Sequence, residues 1–137
     1  MKKINILLVA LVMLVGNSFG QTEKKAVWAE MKAFHALMAG TFHPSEEGDL
    51  NPLKEKAEAL YKASKTWYAS EIPADFKPEE TKATIEKLMI KCNDIWAAVA
   101  AKKSDEDLKK MIADAHDIFH KIVGECKKTA GHDGHQH

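Results

Sequence analysis

His116 and His120 stand four residues apart in the segment Ala115-His116-Asp117-Ile118-Phe119-His120-Lys121. On a helix that spacing puts two imidazoles on one face, with their backbones about 6 Å apart. Neutral imidazole is a favoured ligand of zinc, copper and iron, so the pair can offer two nitrogens to one ion. A second set of donors, Met31, His35 and Met38, lies in the first apolar-periodic segment. Thioethers and imidazoles together suit a transition ion such as copper or zinc, or a haem iron. Two donor sets on two helices make a site only if they face one interior space.

The elements that would position them follow from the period of the apolar residues. A first helix is predicted over about Thr22 to Phe42, with Trp28, Met31, Phe34/His35, Met38 and Phe42 on its stripe. It is expected to stop at His43-Pro44, because the residue before a proline is pushed out of helical geometry. A second helix starts near Asn51-Pro52 and carries Leu53, Ala57, Leu60, Ser64 and Trp67, with proline in its favoured first turn. The third runs from about Pro78 to Ala101, and Ser104 caps a fourth that carries Leu108, Ile112, Ala115, Phe119 and Ile122. Four amphipathic helices with short links specify an all-α, up-down-up-down antiparallel four-helix bundle.

Folding the chain about its three turns brings His116 level with about residue 33 of the first helix and His120 with about residue 29. His35 and Met31 are therefore the expected counterparts of the two late histidines. Burying several imidazoles without a ligand would leave polar groups unsatisfied, which favours a metal or haem site between helices one and four. Small residues at Ala57, Ser64, Ala113 and Ala115 leave space for a haem.

The N-terminus reads as a secretory leader: Met1-Lys2-Lys3, an apolar run from Ile4 to Val15, then small residues to Gly20. The expected organisation is a signal peptide over 1–20, a bundle over 21–128 and a disordered His-rich tail over 129–137. The apolar run is short for a membrane span, and no cysteine follows it to carry a lipid. The mature protein is expected to be periplasmic and free of the membrane after cleavage. All 20 basic residues other than histidine are lysines; without arginine, specific nucleic-acid contacts lose their main agent. Cys92 and Cys126 fall on different levels of an antiparallel hairpin, roughly 20 Å apart along the axis, so they are read as free thiols. The tail histidines His132, His135 and His137 suit weak binding of copper, zinc or nickel. No phosphate loop, activated nucleophile or paired core carboxylates argue for an enzyme.

The register Ile112-Ala113-Asp114-Ala115-His116-Asp117-Ile118-Phe119-His120-Lys121 resembles the haem motif of the cytochrome c-prime family, CxxCH followed by charged, aromatic and basic positions. His116 falls on the axial histidine, Phe119 on the aromatic and His120 on the basic position. Ile112 and Ala115 replace the two haem-linking cysteines, which excludes covalent attachment. The resemblance then implies a non-covalent, b-type haem held by His116 with Met31 or His35 of the first helix, and possible roles for Lys32 or Lys65 toward the propionates. Bundles of that superfamily often dimerise, which leaves a homodimer open. His43 and Glu47 are similar to part of the hemerythrin di-iron pattern, but the third helix has no histidine and Pro44 interrupts the register. His43, Glu46 and Glu47 are left as an accessory surface site or a capped turn.

The resulting expectation is an exported bundle that binds haem or a transition ion, with electron transfer as one use. Its cofactor residues would be His116, Met31, His35 and Phe119, and its metal ligands His116, His120, His35, Met38 and His43. A haem-free copper- or zinc-binding periplasmic protein is the first alternative, and a metal-free bundle that binds a protein partner the second. The expected partner is a redox or metal-delivery protein.

Overall fold

Four amphipathic stretches become helices: α1 (Ala29–Glu46), α2 (Asn51–Ala69), α3 (Pro78–Ala100) and α4 (Asp105–Glu125). The structure is a computed structural model that describes residues 28–128. The expected leader and His-rich tail lie outside the described residues. Each helix packs on the next in sequence, and α1 closes the ring against α4. The all-α four-helix bundle read from the apolar period is the observed fold.

Helix starts follow local chemistry. Pro52 and Pro78 occupy first-turn positions of α2 and α3, where a missing N–H costs nothing. Ser104 caps α4, its hydroxyl accepting from the Asp107 N–H at 3.1 Å. Asp105, Glu106 and Asp107 then fill the first turn of α4, where negative charge meets the positive end of the helix dipole.

The end of α1 departs from expectation. The helix continues through Pro44 to Glu46. Proline removes only the bond to the carbonyl four residues back, and so near a terminus that loss ends nothing. The stop comes one turn later, when the Asp49 N–H reaches the Pro44 carbonyl at 2.9 Å and the Gly48 N–H reaches Ser45 at 3.1 Å. This paired closure needs a left-handed residue, and Gly48 supplies it at φ +88°. The same closure ends α3, where the Lys103 N–H donates to Ala98 and the Lys102 N–H to Val99. There the left-handed position is held by Lys102, at φ 55°.

The core is aromatic at its lower half, the end where α1 begins and α4 finishes. Trp67 is fully buried and meets Trp28 edge-on at 5.5 Å, Phe34 at 5.4 Å and Phe119 at 6.0 Å. Trp28 also packs on Phe76 at 5.1 Å and donates its indole N–H to the Ser70 hydroxyl at 2.9 Å. Leu53, Leu60, Ile85, Leu88, Ile95, Leu108, Ile112 and Ile122 fill the remaining levels. Below α4 the chain pairs back onto the α2–α3 connection, Phe76 opposite Lys127, with the Lys128 N–H donating to the Asp75 carbonyl at 2.7 Å.

The turn between α3 and α4 yields a direct test. A non-glycine residue in the left-handed region costs about 1–2 kcal/mol, part of which glycine returns as lost chain entropy. Lys102→Gly is expected to stabilise the protein by roughly 0.5–1 kcal/mol, read as a higher midpoint in urea with an unchanged slope.

Candidate functional site

On α4 the i, i+4 spacing does what the sequence implied. His116 and His120 place their Nε2 atoms 3.1 Å apart, so in the metal-free protein one ring donates its Nε2–H to the other. The His116 ring lies flat on Phe42 of α1, centroids 3.8 Å apart and planes 11° from parallel. Phe42 is half-buried against the core, so it gives His116 a fixed apolar backing on one side. His120 meets His116 edge-on at 4.4 Å and is exposed. The pair therefore sits at the rim of the α1–α4 seam, not inside the bundle.

Most of the expected counterparts are elsewhere. His35 is exposed and stacks on Phe119 at 5.1 Å. Met38 is fully buried in the core, and Met31 is half-buried against it. Phe119 belongs to the core, with Phe34 at 5.9 Å. The level assigned from sequence was displaced: the α1 residue that meets His116 is Phe42, not residue 33. Counting through three turns accumulates a residue or two at each, and α1 also runs one turn beyond its expected end at Phe42, to Glu46. The combined shift from residue 33 to Phe42 is about two and a half helical turns, or roughly 13–14 Å at about 1.5 Å per residue.

That register decides the fit of a haem. The expected two-ligand haem needs Met31 or His35 across the iron from His116, and His35 instead stacks on Phe119 while Met31 packs against the core. The interior between α1 and α4 is filled by Phe34, Met38, Ile112, Ala115 and Phe119, and Ala57 and Ser64 are themselves buried in the packing. A haem at this seam would have to displace the aromatic core. These residues do not fit a b-type haem held between the two helices.

His43, expected either among the metal ligands or at an accessory surface site, lies at this same rim. It follows Phe42 on α1, with its ring 5.4 Å from the Phe42 ring, and its Nδ1 lies 3.2 Å from a Glu46 carboxylate oxygen. His43 and Glu46 are both close enough to act on the charge of His116. The missed signal was the continuation of α1 through Pro44, which puts His43 and Glu46 one turn apart on a helix. Glu46 also ties this end of α1 to α4, because its carbonyl accepts from Lys109 Nζ at 3.2 Å. Among the described residues, no three His, Cys, Asp or Glu side chains already converge on an ion-sized point.

Burial holds the His116 imidazole below its ordinary pKa of 6.5, and the neighbouring His120 charge pushes the same way. Asp117 opposes them, His43 lowers the value further and Glu46 raises it. His116 is therefore neutral at neutral pH, with a lone pair free for a hydrogen bond or a metal. The cysteines take no part. Cys92 is buried and desolvation pushes its thiol up to about 12 despite a hydrogen bond with Ser64. Cys126 is buried at a different level, its thiol 3.7 Å from the Thr84 hydroxyl.

Comparison with protein families, with characterised proteins and with solved structures finds no match for this chain. The likeness to cytochrome c-prime thus rests on the four-helix architecture and the register of residues 112–121. No helix among the described residues is long and apolar enough to cross a membrane.

Two measurements check this description. A histidine whose folded pKa is depressed binds fewer protons than in the unfolded chain, so its contribution is present above the unfolded value and lost as pH falls. Stability is expected to drop between about pH 6.5 and the lower folded pKa of His116, and His116→Gln should flatten that slope in urea titrations taken from about pH 7.5 to about pH 5.5. Cys92 should resist alkylation in the native protein and react only on unfolding, because its thiolate is not populated.

Proposed function

We propose that this chain is an exported four-helix-bundle protein that binds a copper or zinc ion through His116 and His120, and that it handles metal rather than transferring electrons. The observation that carries the reading is the 3.1 Å separation of the two Nε2 atoms. Two nitrogens 3.1 Å apart, each about 2.0–2.1 Å from a shared ion, subtend roughly 98° at it. That angle lies between square-planar and tetrahedral values, so both Cu(II) and Zn(II) are served. The proton now shared between the rings is the one an ion would displace, and the lowered proton affinity of His116 reduces that competition.

Position supports carriage. A two-nitrogen anchor at the rim of a seam leaves the other coordination positions to water, to further side chains or to the ligands of a delivery partner. The Phe42 ring under His116 fixes one imidazole without closing the site. The leader-like residues 1–20 support export to the periplasm, and the histidines at 132, 135 and 137 favour a metal-rich role.

Titration of the protein with Zn2+ or Cu2+ by calorimetry at about pH 7.5 is expected to show one ion per chain at the pair. His116→Ala and His120→Ala should each weaken binding by more than about tenfold, since even residues that merely support metal ligands cost that much when removed. Zn2+ at about 100 times its Kd should raise unfolding free energy by about 2.7 kcal/mol. Unchanged binding in both variants would sink the reading. Mass spectrometry of protein exported by a Gram-negative host is expected to give an N-terminus at Gln21.

A further inference from the structure

We infer that His43 is the third ligand of the ion, oriented by Glu46, so that a bound Cu2+ or Zn2+ clamps α1 to α4 at their shared rim. The inference rests on the His116–His120 chelate and adds the part of the site that lies on the other helix. Its first support is the pair Nδ1 of His43 and Oε2 of Glu46, 3.2 Å apart. An ionised carboxylate accepts only, so in the neutral ring this bond puts the proton on Nδ1 and leaves the lone pair on Nε2. A carboxylate behind a histidine is the usual way a protein fixes the tautomer and ring orientation of a metal ligand and raises its basicity. His43 then presents the same atom, Nε2, that His116 and His120 present.

The second support is placement. Phe42 packs face to face on His116 and its chain neighbour His43 lies 5.4 Å from the same ring, so that ring borders one imidazole from each helix, and His120 meets His116 edge-on at 4.4 Å. The His43 and Glu46 side chains are 66% and 54% exposed, so the hydrogen-bonded pair can turn together toward the α4 histidines. Glu46 stays near α4 because Lys109 Nζ holds its carbonyl. Three neutral imidazoles leave a fourth position open, the arrangement of a zinc site that keeps water or an incoming ligand. Among the described residues α1 and α4 share the smallest contact of the four neighbouring helix pairs, so an ion spanning them adds a crosslink at the least packed seam.

The test is Cu2+ binding to the whole exported chain, with affinity measured by competition against a chromophoric chelator and coordinated imidazoles counted by pulsed electron paramagnetic resonance. The wild type should show three imidazole nitrogens. His43→Ala should show two and bind about 10–100-fold more weakly, and Glu46→Gln should keep three and lose up to about tenfold. Both positions are exposed, so circular dichroism should be unchanged in each variant. Hydrogen exchange at the C-terminal turn of α1 should slow on metal addition in the wild type and not in His43→Ala. Wild-type affinity and nitrogen count in His43→Ala, with binding still lost in His116→Ala, would overturn the clamp and leave the two-histidine anchor standing. Full binding in His116→Ala would overturn both.

Discussion

The rings of Phe34, Trp67 and Phe119 meet between three helices, and this aromatic contact sets where polar groups can go. Aromatic side chains bury large area and pack at fixed offsets, so once these three occupy the centre of the lower half, hydrocarbon takes the α1–α4 interior at that level. Donor residues on the two helices must either join the hydrocarbon, as Met38 does, or turn to the rim, as His35, His116 and His120 do. The rim is therefore where chemistry is available, and its character follows from what borders it: one core-anchored ring, Phe42, and a carboxylate at the end of α1.

Stacking on that ring has an electrostatic side. Phe42 removes water from one face of His116, which disfavours the imidazolium, while the adjacent His120 adds a like charge when protonated. Asp117 and Glu46 pull the other way, but they are exposed and water screens their charges. The net result is a neutral base held in one orientation, beside a second imidazole at chelating distance. The buried thiols show the complementary outcome: Cys92 is desolvated so completely that it stays a thiol and behaves as a small hydrophobe.

The fold was legible in the sequence because each helix carries its own instructions. Apolar residues recur on one face, Pro52 and Pro78 mark starts, and Ser104 caps α4 as its residue type implies. Boundaries fail where a local rule meets its exception: Pro44 reads as a stop, yet two residues from the end of α1 it removes one bond and the helix continues. The site was half legible. The His116–His120 chelate depends on helix periodicity alone and could be read directly. Its α1 neighbour depends on interhelical register, which accumulates error through every turn and is fixed by ring packing that no periodicity encodes. Hence Met31 and His35 were expected opposite His116, where Phe42 and its neighbour His43 are found.

The pairing of Phe76 with Lys127 has a further consequence for the architecture. Phe76 also packs on Trp28, so the two ends of the described chain, residues 28 and 128, meet at the same pole of the bundle. The opposite pole holds the tight reversal at Lys102, which buries nothing. The order of the helices along the chain is thus separable from their arrangement in space: a circular permutant joined across the aromatic pole and reopened between Lys102 and Lys103 would keep the same four packed faces.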